Sequence, residues 1–210
     1  MTHSLHRVGT AESLKGDFVL IARPTMGFNE KGAAPRIRRM LEIIFEVGPT
    51  NLGSLESNQT IAGGLDPATV LAGVDDTTGV RSTFSSREKL KEVLRRLKEE
   101  DLGISVTVSG IVDDVFELCD EVGLQPHSIN VSLGVHGNVG ALAPEAVREV
   151  STMCGHGLVA SKLVEKVAAD VRCGRKSARE GAVEAGRACA CGIFNLDRAA
   201  ALLEAVGRGA

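Results

Sequence analysis

The sequence predicts an α+β protein: a ferredoxin-like split βαβ-type mixed sheet with helices, followed by an all-helical, cysteine-bearing C-terminal segment. Three observations predict it. Up to residue 109, apolar runs and alternating stretches interleave with amphipathic stripes in the order strand, helix, strand, strand, helix, strand. After Ala143 the strand signals stop while helical spacing continues. Three cysteines and a histidine gather in that last third. The expected division is residues 1–143 as an α/β substrate-binding domain and residues 144–210 as a helical metal- or cluster-binding segment.

Residues 1–16 read as a polar lead-in, with no role for His3 or His6. Asp17-Phe18-Val19-Leu20-Ile21-Ala22 is a near-continuous apolar run, the pattern of a central strand. Pro35 suits the first turn of a helix whose apolar face is Ile37, Leu41 and Ile44, and Gly48-Pro49 stops it. Residues 50–75 are rich in Gly, Asn and Asp, with a short strand expected near Gln59 to Ala62. Val80 to Phe84 reads as a strand. Ser85-x-x-Glu88 reads as a capping box ahead of a helix carrying Leu90, Val93, Leu94 and Leu97. Ile104, Val106 and Val108 alternate with polar residues, as a half-buried strand does. A helix follows with Val112, Val115, Phe116, Cys119 and Val122 on one face, then a strand over Ile129, Val131 and Leu133. Leu158, Leu163, Val167 and Val171 suggest the first C-terminal helix; Ser177-x-x-Glu180 opens a second, and Asn195 with Asp197 a third. No internal repeat is apparent at a fixed period.

Composition bounds the function. Charged residues make up 24% of the 210 and hydrophobic ones 43%, enough for a packed core. A net charge of −3 implies no basic face for nucleic acid, and six Phe without Tyr or Trp leave little for base stacking. No apolar stretch reaches membrane-spanning length, and the start lacks a secretory pattern, so a cytoplasmic protein is expected. Five cysteines in a reducing compartment read as ligands, catalysts or packing groups rather than disulfides. Walker, dinucleotide-fingerprint, GxSxG and HExxH motifs are all missing from the sequence.

The chemistry concentrates in Cys154-Gly155-His156-Gly157 and Cys189-Ala190-Cys191-Gly192. Thiolate and imidazole are the ligands soft and borderline metals prefer. Ligands one residue apart converge on one ion only from a turn, and the flanking glycines supply such backbone. Cys154, Cys189 and Cys191 are therefore candidate cofactor ligands, for a [4Fe–4S] cluster with an open iron or for zinc with His156 as fourth ligand. The single-residue spacing differs from the usual CxxC of structural zinc and favours a cluster or an open catalytic metal. A redox dithiol and plain packing thiols are the competing readings. Cys119 reads as core, Cys173 as a surface or packing thiol, and Asp75-Asp76 as a turn.

Two further groups are candidates. His156, and His136 just beyond the expected strand, are candidate catalytic groups; His127 precedes that strand. Arg23, Thr25, Gly27, Asn29 and Arg36 surround a strand-to-helix loop able to hold a carboxylate, phosphate or sulfonate.

The stretch Met153-Cys154-Gly155-His156-Gly157 with Cys189-Ala190-Cys191-Gly192-Ile193-Phe194-Asn195-Leu196-Asp197-Arg198 resembles the ending of small iron–sulfur proteins of anaerobes and methanogens. Those proteins are loosely linked to formation of a thiol coenzyme of the coenzyme M type. The resemblance covers residues 153–198 and implies Cys154, Cys189 and Cys191 as cluster ligands. The expected function is thus a cytoplasmic [4Fe–4S] enzyme acting on a small anionic substrate by sulfur insertion, reduction or dehydration. The alternatives are a zinc enzyme or zinc-structured binding protein using Cys154, His156, Cys189 and Cys191, and a metal or redox sensor. An electron-donor protein and a second copy of the chain are the macromolecular partners compatible with this reading; nucleic acid and membrane are not.

Overall fold

The computed structural model describes residues 2–208, with the side chains of residues 4–205. The expected segments 1–143 and 144–210 extend past it at Met1, Gly209 and Ala210, and the His3 side chain lies outside the described ones. A 3-10 turn (Thr2–Leu5) and the one-turn helix α1 (Ala11–Leu14) lead to β1 (Phe18–Ala22). Then come α2 (Ala34–Val47), β2 (Asn51–Ser54), β3 (Gln59–Thr60), α3 (Pro67–Ala72), β4 (Val80–Phe84), α4 (Arg87–Glu100), β5 (Val106–Ser109) and α5 (Val112–Val122). The helices α6 (Glu145–Ser151), α7 (Ser161–Arg172), α8 (Ala178–Gly186) and α9 (Leu196–Arg208) follow. Among the described residues no helix is long and apolar enough to cross a membrane.

The strands form one sheet in the order β3-β2-β4-β1-β5. Every pairing is antiparallel, which corrects the expected mixed sheet. The reason lies in the connections. Helix α2 joins β1 to β2, but these strands are not neighbours; β4 lies between them and runs opposite to both.

Both faces of the sheet are covered. Phe18, Leu20 and Ala22 of β1 pack with Ile37 of α2, Leu90 of α4 and Leu118 of α5. Val19 and Ile21 point the other way, into a second core with Val167 of α7, Ala182 of α8 and Phe194. That is why β1 reads as a continuous apolar run rather than an alternation.

The structure also corrects several elements. No strand forms over 129–133; Ile129, Val131 and Leu133 lie exposed in irregular backbone between α5 and α6. α1, β2, α3 and α6 have no counterpart in the expected elements; a loop is expected around Asp66-Pro67, where Asp66 instead caps α3. The cap of α4 is Ser86, whose side chain accepts from the Lys89 amide, while Ser85 turns to Thr50, Asn195 and Asp197. The buried face of α5 is Val115, Leu118, Cys119 and Val122, with Val112 and Phe116 outside it. Ser177 and Glu180 do form a reciprocal capping box on α8.

The C-terminal helices contain a tandem repeat. An offset of 35 residues carries Cys154 onto Cys189, His156 onto Cys191, Gly157 onto Gly192, and Ser161, the first residue of α7, onto Leu196, the first of α9. Buried positions match too: Val150 with Ala185, Val159 with Phe194, Val164 with Ala199, Ala168 with Leu203. Helix α7 packs on α9, and α6 reaches α9 as α8 reaches α7. These pairings are those of two halves related by an approximate two-fold axis.

Candidate metal centre

Each half bends through the same turn. The Gly157 amide donates to the Cys154 carbonyl at 3.0 Å, and the Gly192 amide to the Cys189 carbonyl at 3.1 Å. Both glycines take left-handed backbone, φ 69° and 71°, which only glycine adopts at little cost. The turn lifts the side chains of its first and third residues to one side, so one half offers Cys154 and His156 and the other Cys189 and Cys191.

The two turns face each other across the axis. Cys154 and Cys189, equivalent in the repeat, are hydrogen-bonded through their thiols. Cys189 Sγ lies 3.8 Å from Cys191 Sγ, and Cys191 Sγ lies 3.5 Å from His156 Nδ1. All three cysteines are buried, while His156 lies at the surface above them. The four groups form a row, 154–189–191–156. Among the described residues no three His, Cys, Asp or Glu side chains stand ready to hold a metal ion. Closing the row into a tetrahedron requires rotation of thiols and imidazole.

The electrostatics favour thiolates at the outer cysteines. The hydrogen bond with Cys189 holds the Cys154 thiol down, to about 5, against the opposing effect of burial. The amides of Leu158, His156 and Val159 add to it. Cys191 is held to about 6 by Cys189 first, again against burial, with help from the Ile193 amide and His156. Cys189, between two such neighbours, is pushed up and keeps its proton. Cys119, by contrast, is buried core as expected, and desolvation raises its thiol. Cys173 is exposed at the end of α7.

One side of the centre is sealed by the sheet. A Cβ on Gly53 of β2 would stand 2.5 Å from the Cys191 carbonyl carbon, and one on Gly192 would stand 2.1 Å from the Gly53 nitrogen. Two backbones therefore touch, and glycine is required on both. Asn51 of the same strand donates to the Phe194 carbonyl at 2.9 Å. The other side opens into a depression of about 330 Å³ beside Cys154, lined by residues that include His6, Thr152 and Ser161.

A buried charge cluster fixes the second half. The Asp17 carboxylate meets Arg198 Nη1 at 3.0 Å, Arg7 Nη1 at 3.1 Å and Asn195 Nδ2 at 3.0 Å. Arg198 also donates to the Val8 carbonyl and Arg7 to the Ile193 carbonyl. The polar lead-in is thus a strap over the second turn. Asp17 at the start of an apolar run and Arg198 in an Ala/Leu-rich helix were the available signal, together with the asparagine and glycine of β2.

The structure does not bring the other candidate residues to the cysteines. His136 lies in the exposed segment, its Nε2 2.9 Å from the Leu133 carbonyl. The loop with Arg23, Thr25, Gly27 and Asn29 leads into α2, on the opposite face of the sheet from the cysteines. Asn29 accepts from the Thr25 amide and donates to the Gly103 carbonyl, and Arg36 donates to the Leu102 and Asn29 carbonyls. The amides of Gly32 and Ala34 at the start of α2 already bind the Asp76 carboxylate, so the chain itself supplies an anion there. No family model, curated protein or solved structure matches this chain.

Proposed function

We propose that this chain is a metal-binding protein in which Cys154, His156, Cys189 and Cys191 hold one divalent ion, zinc in the first instance, between the two helical halves. The spacing carries the reading. A tetrahedral ion with thiolate bonds of about 2.3 Å and an imidazole bond of about 2.1 Å sets sulfur–sulfur edges of about 3.8 Å and sulfur–nitrogen edges of about 3.6 Å. The neighbouring pairs stand at 3.8 and 3.5 Å. In a cubane cluster each thiolate binds a different iron, so the sulfurs stand an iron–iron edge and two outward bonds apart. That is well beyond 3.8 Å, and Cys189 and Cys191 would have to separate. Amide donors on Cys154 and Cys191 suit thiolate ligands of either kind.

Four protein ligands make the zinc site a closed, structural one. A [4Fe–4S] enzyme acting on a small anionic substrate is the second reading. It draws on the CGHG and CACG pattern and on the depression beside Cys154. In either case the thiolate ligands call for a reducing compartment such as the cytoplasm. We also read the sheet as ferredoxin-like, because β4 fills the gap between β1 and β2 as a split βαβ unit requires.

Anaerobic purification followed by metal analysis tests both readings. A colourless protein with one zinc per chain is expected. A brown protein absorbing near 400 nm, with iron and sulfide, overturns zinc in favour of the cluster. A stable, colourless protein that neither contains nor takes up metal overturns both.

A further inference from the structure

We propose that a small hydroperoxide entering the depression beside Cys154 oxidises that residue and joins it to Cys189 in a disulfide between the two helical halves. The disulfide rests on how the sulfurs are placed; its effect on a bound ion rests on the zinc reading above.

The two sulfurs meet where the repeat brings its halves together. Cys154 and Cys189 hold the same position in the two turns, and their thiols are hydrogen-bonded to each other. Cys154 is 2% exposed, and Cys189 and Cys191 are fully buried in the same apolar cluster. Of the three, Cys154 lines the depression, a space of about 330 Å³ whose walls include His6, Ser151, Thr152 and Ser161. A small molecule that hydrogen-bonds fits such a space. The oxidant therefore reaches Cys154 first, and the thiol waiting behind it is Cys189.

Cys191 competes for that thiol, since its Sγ is 3.8 Å from Cys189 Sγ. Both belong to one turn, however, closed by the Gly192 amide on the Cys189 carbonyl. A disulfide asks for a dihedral of about 90° across its sulfurs, and residues two apart must meet it inside a small ring. Cys154 and Cys189 come from separate turns and carry no such constraint. Cys119 lies in the other core and Cys173 is exposed at the end of α7, so neither competes within the chain.

The chemistry needs only the peroxide. The Cys154 thiolate attacks one peroxide oxygen; a sulfur–oxygen bond forms as the oxygen–oxygen bond breaks, leaving a sulfenic acid and hydroxide, which takes a proton from solvent. The Cys189 sulfur then attacks the Cys154 sulfur. The disulfide forms as the new sulfur–oxygen bond breaks, and the Cys189 proton leaves with that oxygen as water. Two thiols lose two electrons, and hydrogen peroxide takes them up as two waters.

Titration of the purified full chain with hydrogen peroxide tests this, with metal release and peptide mapping without reductant followed together. One equivalent should link the Cys154 peptide to the Cys189 peptide, and excess dithiothreitol should separate them. Zinc present beforehand should leave in step with the link, because Cys191 and His156 alone are two ligands. Cys173→Ser removes the exposed thiol and should leave the link unchanged. A link between Cys189 and Cys191, or Cys154 carried to the sulfinic acid with no link, overturns the proposal. So does a chain whose buried thiols all survive excess peroxide. A chain purified without zinc sinks the zinc reading instead, and its peptide map still decides the disulfide.

Discussion

Residues 145–172 and 180–207 fold into the same helix–turn–helix, yet they meet different surroundings. The first turn, at Cys154 to Gly157, borders a depression and carries the exposed His156. The second, at Cys189 to Gly192, is pressed against β2 so closely that Gly192 and Gly53 touch through backbone atoms. The N-cap of α7, Ala160, supplies no side-chain cap, whereas the equivalent Asn195 accepts from the Arg198 amide and bonds to Asp17. Leu163 has Arg198 as its counterpart, and only Arg198 joins a buried ion cluster. The second half alone is pressed on the sheet, while the N-terminal strap touches both halves: the Val8 amide donates to Thr152 Oγ1 of the first, and Arg198, held by the strap, pairs with Glu149. The local fold is set by the turn, while rigidity is set by what the sheet and the N-terminal strap supply.

The largest effect sharpens the likeness of the halves. Cys154→Ser and Cys189→Ser occupy equivalent places and should lose metal to the same degree, because a three-ligand remainder holds a structural ion poorly. His156→Cys makes the halves identical in ligand type and should keep one zinc per chain. Metal analysis of the three variants checks this; loss in one cysteine variant alone breaks the two-fold picture.

Asp17→Ala tests the buried ion cluster that ties the second half to the strap. It leaves Arg7 and Arg198 buried without their shared carboxylate, and removing one partner of a buried ion pair costs about 3–5 kcal/mol. Urea denaturation should show the loss. A cost below about 1 kcal/mol would mean that the strap does not hold the second half.

The glycines give a paired measurement. Gly157→Ala and Gly192→Ala both force a side chain into left-handed backbone, at about 1–2 kcal/mol. A Cβ at Gly157 meets nothing within 4 Å, while one at Gly192 collides with β2. Gly192→Ala should therefore cost about 2 kcal/mol more than Gly157→Ala, since overpacking adds about 1–3 kcal/mol. Equal costs would show that the second turn is not pressed on the sheet.

The smallest effect is a pH dependence confined to the second half. Burial opposes ionisation of Asp197, but Thr50, Ser85 and Arg179 hold its carboxyl below the ordinary range. Its stabilising contribution is complete above the unfolded value of about 4 and disappears as the pH falls through the lower folded value. The equivalent Lys162 pairs only with Glu165 at the surface. Asp197→Asn should flatten the acid limb of the stability curve, whereas Lys162→Gln should leave it unchanged, as read from thermal melts between pH 2 and 6.

Much of this was legible in the sequence. β1, β4, α2, α4 and the three longer C-terminal helices follow from apolar spacing and caps, and the two cysteine turns stand out by residue type. β2 was hidden because its residues, Asn51, Leu52, Gly53 and Ser54, are chosen for contacts with the second turn rather than for strand propensity. The strand expected at 129–133 has the right alternation, but alternation reports only that one face must be covered, not what covers it. The repeat is faint in the sequence because buried positions preserve apolar character rather than identity, as Val159 and Phe194 do. The anion loop failed for another reason: Asp76, far along the chain, supplies its carboxylate to the start of α2.

The repeat has a consequence for how tightly the proposed ion would be held. In the proposed site each half offers only two ligands, and two such halves on separate chains would have to meet before binding. Here residues 173–177 join α7 to α8, five residues that keep the second pair beside the first. Binding of the second pair becomes an intramolecular event, at an effective concentration in the millimolar range or above. Lengthening that connection with flexible residues would dilute one pair relative to the other without touching a ligand. In the proposed site, the affinity for metal is thus set partly by a stretch of chain that never contacts it.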